Sequence, residues 1–220
     1  METQKLLGMF ESVTDPVVAD ELMEGLERSM SLSSLREDSL KNIVAKLSDA
    51  SKERMGKILV KRNQDLVEQK KQVDSLLAAF PKGDVRRGLA VFNGAKAACR
   101  TCHSVGYVGG KVGPDLTKIG QIRNEKDLLE SIVYPSSTFV RSYEPVTIAM
   151  SDGRVLAGIV QSETTETMNL VLNATETVKV PKADIDDVSP GTVSVMPAGL
   201  DKQLSTQELA DLITYLRSSR

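Results

Sequence analysis

The sequence predicts a mostly helical α+β protein: a helical domain interrupted by a small antiparallel β meander or barrel, with a separate helical region ahead of it. Three observations predict this. Apolar residues recur at helical spacing through most of the first 142 positions. From Tyr143 to Ser189 the apolar period drops to two, the signature of strands with one buried face. After Ser205 the helical stripe returns, which makes the strand region an insertion rather than a tail. A chain of 220 residues makes one large or two small domains. The division read here is 1–82 for the leading helices and 83–220 for the second domain, with its insert at about 143–190.

The first helices are read at Thr3–Ser12, Pro16–Met30, Leu35–Leu47 and Lys52–Phe80. Asp15-Pro16 is a start signal, because the carboxylate caps open backbone N–H groups and proline fits the first turn. In the long segment Leu59, Leu66, Val73, Leu76 and Phe80 follow alternating spacings of three and four, with Arg62 and Gln69 interrupting. Such a stripe packs on its own domain or pairs two chains. A homodimer through the N-terminal helices is therefore one expectation. Lys70-Lys71 reads as a solvated face, and no clean internal repeat is visible.

Asp84 precedes the short helical run Val85 to Phe92, and its partner is read at Ser205 to Arg220, where Leu209, Leu212, Ile213 and Leu216 share a stripe. Gly88 would let these two helices cross closely. Between them Leu128, Leu129 and Ile132 mark another amphipathic helix, ended by Pro135. In the insert, Val146, Ile148 and Met150 alternate, Asp152-Gly153 signals a hairpin, and Val155 to Val160 follows. Met168 to Leu172 and Val178 to Val180 supply further strands around Asn173-Ala174-Thr175. That tripeptide matches a glycosylation acceptor, although turn chemistry explains its residue types equally well. Taken alone the insert resembles a small Sm-like barrel, but without basic patches RNA binding is not assigned.

Chemistry concentrates at Cys99-Arg100-Thr101-Cys102-His103, which holds both cysteines and the only histidine of the chain. Two thiols followed at once by an imidazole are what covalent c-type haem attachment requires. Each thiol can add across one porphyrin vinyl group, while His103 is carried beneath the macrocycle as proximal iron ligand. A closed zinc site needs four protein donors, and only three such side chains exist here. A thioredoxin-like dithiol belongs beside a βαβ pattern, and the flanks Gly94 to Ala98 and Ser104 to Gly106 show no strand and crossover. One haem c per chain is the cofactor expected, in a metal-binding, CxxCH-type electron-transfer protein.

For the sixth ligand, a second histidine is not available, and thioether sulfur is the usual alternative. Of eight methionines, Met9, Met23, Met30 and Met55 lie in helical patterns and Met150 and Met168 in strand-like runs, where apolar packing is their role. Met196 differs, lying in the turn-rich stretch Pro190 to Gly199 before the last helix. Histidine and methionine ligation would raise the reduction potential, which suits electron transfer.

The stretch from Gly109 to Gly120 resembles the loop after the haem motif in class I cytochromes c. That resemblance implies that Pro114 offers its carbonyl to His103, meeting the need of a metal-bound histidine for an acceptor on its other nitrogen. It also implies that Met196, on a loop before the C-terminal helix, is the distal ligand. Gly88 and Phe92, the haem pentapeptide, Val112 to Thr117, Leu128 to Ile132 with Pro135-Ser136, the Asp152-Gly153 hairpin and Val195-Met196-Pro197 together resemble the haem-binding domain of planctomycetes and verrucomicrobia. The resemblance covers roughly residues 83 to 220. It implies a cytochrome c-like haem domain with a β insert, following helical repeats or a dehydrogenase module, and accepting electrons from a dehydrogenase. The leading helices would be the remnant of such a repeat region. Phe92, Leu116, Ile119, Leu128 and Ile132 are the candidates for the apolar wall.

The function expected is a non-enzymatic monohaem electron carrier with a dehydrogenase as donor and a downstream protein as acceptor. An alternative is a haem sensor or small-ligand binder in which Met196 is displaceable. A net charge of −2 and a pI near 5.6 argue against nucleic acid, whose partners are basic. No apolar run approaches the length of a membrane span. The start from Met1 to Leu7 lacks the basic-then-apolar layout of a secretion signal. Bacterial haem attachment, by family resemblance, takes place outside the cytoplasm. The chain is accordingly expected to be a periplasmic segment of a longer exported precursor.

Overall fold

The computed structural model describes residues 15–28, 40, 48–140, 142–191 and 193–219. The helices read at Thr3–Ser12 and Leu35–Leu47 lie outside them, except for Leu40, and so do Met9 and Met30. The described residues form an α+β structure of helices and a five-stranded antiparallel sheet. Among them no helix is long and apolar enough to cross a membrane.

Helix α1 spans Pro16–Arg28, with Asp15 accepting from the Val17 N–H at 2.8 Å. Helix α2 runs Asp49–Ala78 and is capped by Ser48, whose hydroxyl accepts from the Ser51 N–H. It joins two cores. Met55 and Ile58 pack with Ala19, Met23, Leu26 and Leu40, whereas Val73, Leu76 and Phe80 pack into the core of the following helices. Between those anchors the helix is largely solvated, with Val60 and Val67 about half exposed. Of the heptad-like stripe, Leu59 packs on the first core and Val73, Leu76 and Phe80 on the second, while Leu66 joins neither.

Helix α3 (Val85–Asn93) follows its Asp84 cap, which accepts from the Arg86 and Arg87 N–H groups. The remaining helices are α4 (Cys99–Cys102), α5 (Ile119–Ile122), α6 (Glu125–Val133), α7 (Leu200–Gln203) and α8 (Thr206–Ser218). A capping box between Ser205 and Glu208 starts α8, and Lys96 reaches the same glutamate at 2.7 Å. The Lys96 ammonium and the Ser205 backbone and hydroxyl groups hold the Glu208 carboxyl down at about 2.

Helices α3 and α8 cross at Gly88, which faces the Asp211 carbonyl and the Tyr215 Cβ. Beside the crossing the Asp211 carboxylate is only 2% exposed. It accepts from Arg87 Nε at 2.6 Å and Nη2 at 2.8 Å, from the Asp84 N–H at 2.7 Å and from Gln207 Nε2 at 2.9 Å. The Arg87 guanidinium outweighs desolvation and holds this carboxyl below its usual range. Stability drawn from the charged form is complete above the unfolded carboxyl value, about 3.9, and is lost as pH falls through the lower folded value. Arg87→Met should lower stability at pH 7, because it removes two hydrogen bonds from a buried carboxylate. Urea midpoints of mutant and parent should converge below pH 3. A gap that does not narrow on acidification would show that the Arg87–Asp211 charge contact contributes nothing.

The sheet comprises β3 (Pro145–Met150), β4 (Val155–Glu163), β5 (Thr167–Val171), β6 (Thr177–Pro181) and β7 (Ile185–Pro190), in the order β6-β5-β4-β3-β7. Its hairpin lies at Asp152-Gly153, with Gly153 at φ 86° and Asp152 accepting from the Arg154 N–H at 3.0 Å. Ile148, Met150, Met168, Leu170 and Val180 form its core. Asn173 Oδ1 accepts from both the Thr175 N–H and hydroxyl, a turn contact that accounts for that tripeptide locally. Two findings differ from the sequence reading. Strand β7 had no counterpart in it, and a two-residue ladder pairs β1 (Ser104–Val105) with β2 (Val108–Gly109) immediately after the cysteines. No crossover helix links these two antiparallel strands, so this is not a βαβ unit.

Candidate cofactor site

The pentapeptide folds as one helical turn. Ala98 enters it in the left-handed region at φ 47°, and the His103 N–H closes the turn on the Cys99 carbonyl at 2.9 Å. The chain then doubles back through β1 and β2. The Gly110 N–H donates to the Arg100 carbonyl at 2.9 Å and the Gly113 N–H to the Cys102 carbonyl at 2.8 Å. A methyl group on Gly113 would come within 2.5 Å of His103 Cε1 and 2.8 Å of Nδ1. The missing side chain at position 113 is the space the imidazole occupies.

His103 Nδ1 lies 2.9 Å from the Pro114 carbonyl. A carbonyl only accepts, so Nδ1 carries the proton and Nε2 keeps its lone pair. Desolvation, opposed by the bond to Pro114, lowers the His103 pKa and favours the neutral ring, the form that ligates metals. Burial raises the pKa of both Cys99 and Cys102, and both are free thiols. Thiols that exchange disulfides need the opposite, a lowered pKa and a populated thiolate. Burial therefore works against the thiolate that disulfide exchange needs.

Cys99, Cys102, His103 and Pro114 line a cavity together with Leu116, Ile119, Leu128, Ile132 and Met196. The cavity measures about 200 Å³ and opens to solvent. Phe92 shares a core with Leu128 and Ile132 but does not line the cavity. It is 2% exposed and stacks at a tilt on Tyr215, ring centres 5.6 Å apart, supporting the α3–α8 crossing instead of the cavity. Met23 and Met55 sit in the α1–α2 core, and Met150 and Met168 in the sheet core.

No protein-family model matches this chain, and no curated protein sequence matches it.

The expectation of a metal-binding protein needs correction. Among the described residues no group of three or more His, Cys, Asp or Glu side chains is placed to hold a metal ion. The two thiols and His103 do not make a protein-only metal centre, and a zinc site has no donors to complete it. The donors do fit a planar cofactor that brings its own equatorial ligands: two thiols on one turn, one neutral nitrogen, a thioether and an apolar enclosure.

The cavity also has lining residues that sequence reasoning missed. Ile159 of β4 reaches it, because strand alternation sends Val160 into the sheet core and its neighbour to the other face. Tyr143, at the entry to the sheet, and Arg123, the one Asp, Glu, Lys or Arg among the described lining residues, join it. The sheet therefore supplies part of the enclosure, which no local pattern at position 159 announces. Ser136 and Ser194 hold the Met196 loop: the Ser194 N–H donates to Ser136 Oγ at 3.0 Å and the Met196 N–H to Ser194 Oγ at 3.1 Å.

Proposed function

We propose that this protein is a monohaem c-type cytochrome that carries electrons without catalysing a reaction of its own, its helices and β insert forming a cytochrome c-like haem domain like that of planctomycetes and verrucomicrobia. One observation carries the reading: the only histidine is oriented by the Pro114 carbonyl at 2.9 Å at the wall of an apolar cavity that also presents both cysteines and Met196. An ordinary turn would have no need to hold an imidazole in one tautomer.

In this reading Cys99 and Cys102 would be the residues that tether the haem covalently. The bound haem supplies a one-electron iron couple. His103 presents Nε2 as proximal ligand and Pro114 fixes its plane. Met196 brings a soft thioether as the distal ligand, favouring the reduced state and a raised potential. Leu116, Ile119, Leu128, Ile132 and Ile159 exclude water. The donor is a dehydrogenase module or protein and the acceptor another redox protein, met through a small, short-lived interface. Covalent attachment of this kind places the chain in the periplasm.

The test is the intact mass and pyridine haemochrome spectrum of protein matured in a haem-competent periplasm. One haem mass that survives denaturation is the expected result. Colourless protein whose two thiols both alkylate would overturn the reading.

A further inference from the structure

Among its described residues the loop that carries Met196 has no helix or strand between Pro190 and Leu200, yet a distal ligand must be held in place. At one end the sheet anchors it: Val146 pairs with Pro190, and the Gly191 N–H donates to the Pro145 carbonyl at 2.7 Å, where β3 and β7 meet. Nearer the cavity, a hydrogen-bond relay takes over, from Ser136 Oγ to the Ser194 N–H and from Ser194 Oγ to the Met196 N–H. Ser136 lies just past α6, whose Leu128 and Ile132 form the cavity wall. Ser136 and Ser194 are 58 positions apart in sequence. They meet because the intervening sheet returns the chain to its starting point.

We propose that Ser136 and Ser194 are positioning residues that set how firmly Met196 holds the iron, and that the β insert is the splint that brings them together. The proposal rests on the cytochrome reading above. Ser136 is half-buried and sits outside the three apolar clusters. Losing its hydroxyl frees the loop without opening a cavity in the core. The relay acts on the methionine backbone, so it controls the place of the sulfur and not its chemistry.

The experiment uses the covalently loaded protein and added imidazole as a competing ligand, followed through the thioether-to-iron absorption band. Ser136→Ala should lower the half-displacing imidazole concentration about fivefold, the value of one net hydrogen bond, with covalent haem content unchanged. Ser136→Thr, which keeps the hydroxyl, should titrate like the parent. The proposal is overturned if Ser136→Ala titrates like the parent. It is also overturned if the alanine and threonine variants weaken alike with a fall in thermal midpoint, which marks a merely structural site. A parent holding covalent haem without the band would remove Met196 as ligand and the relay with it. A parent without covalent haem would remove the cofactor itself, and each failure carries its own signature.

Discussion

Gly88→Ala should lower the thermal midpoint by about 4–8 °C, even though alanine is the better helix former. Within a helix that exchange alone favours alanine by about 1 kcal/mol. At Gly88 the added methyl meets the backbone carbonyl of Asp211 and comes within 2.6 Å of Tyr215 Cβ, atoms of a packed helix that cannot swing aside. The α3–α8 crossing must open, which loosens the Phe92–Tyr215 contact and the Arg87–Asp211 pair. Overpacking of this severity costs about 3 kcal/mol, which leaves about 2 kcal/mol after the helix gain, and for this chain length each kcal/mol moves the midpoint by about 2–4 °C. Gly56, in α2, is the control, since a methyl there meets nothing within 4 Å. Gly56→Ala should raise stability by about 0.5–1 kcal/mol. If both substitutions shift the melt in the same direction, close approach at Gly88 does not govern this fold.

The crossing was legible because a glycine inside an amphipathic pattern stands out. So did the α+β class and the Asp152-Gly153 hairpin, since each rests on local spacing. Strand β7 escaped because Ile185-Asp186-Asp187-Val188-Ser189 sits at the sheet edge with most of its residues exposed. An edge strand buries too little to need alternation, and tertiary pairing with β3 makes it a strand. The two-residue ladder at Ser104–Val105 is likewise imposed by the doubling back of the loop. At the site, the pentapeptide and Pro114 were visible as chemistry. Ile159, Arg123 and the Ser136–Ser194 relay were not, because their roles depend on contacts across the sheet insertion. Phe92 was assigned to the cavity wall on resemblance, and the geometry gives it to the helix crossing.

Met196→Ala should abolish the thioether-to-iron band and lower the reduction potential of the loaded protein by about 0.1–0.3 V, a part of the roughly 0.8 V that axial ligands command. The thioether is a soft donor that stabilises the electron-rich iron state, so its loss favours the oxidised state. Alanine also leaves a position at the apolar cavity open to small ligands. Ferrous Met196→Ala protein should therefore bind carbon monoxide readily, whereas the parent should resist it. That contrast separates a carrier from a sensor in which the same methionine is displaceable. Fast carbon monoxide binding by the parent would favour the sensor, and an unchanged spectrum and potential in Met196→Ala would remove Met196 from the iron altogether.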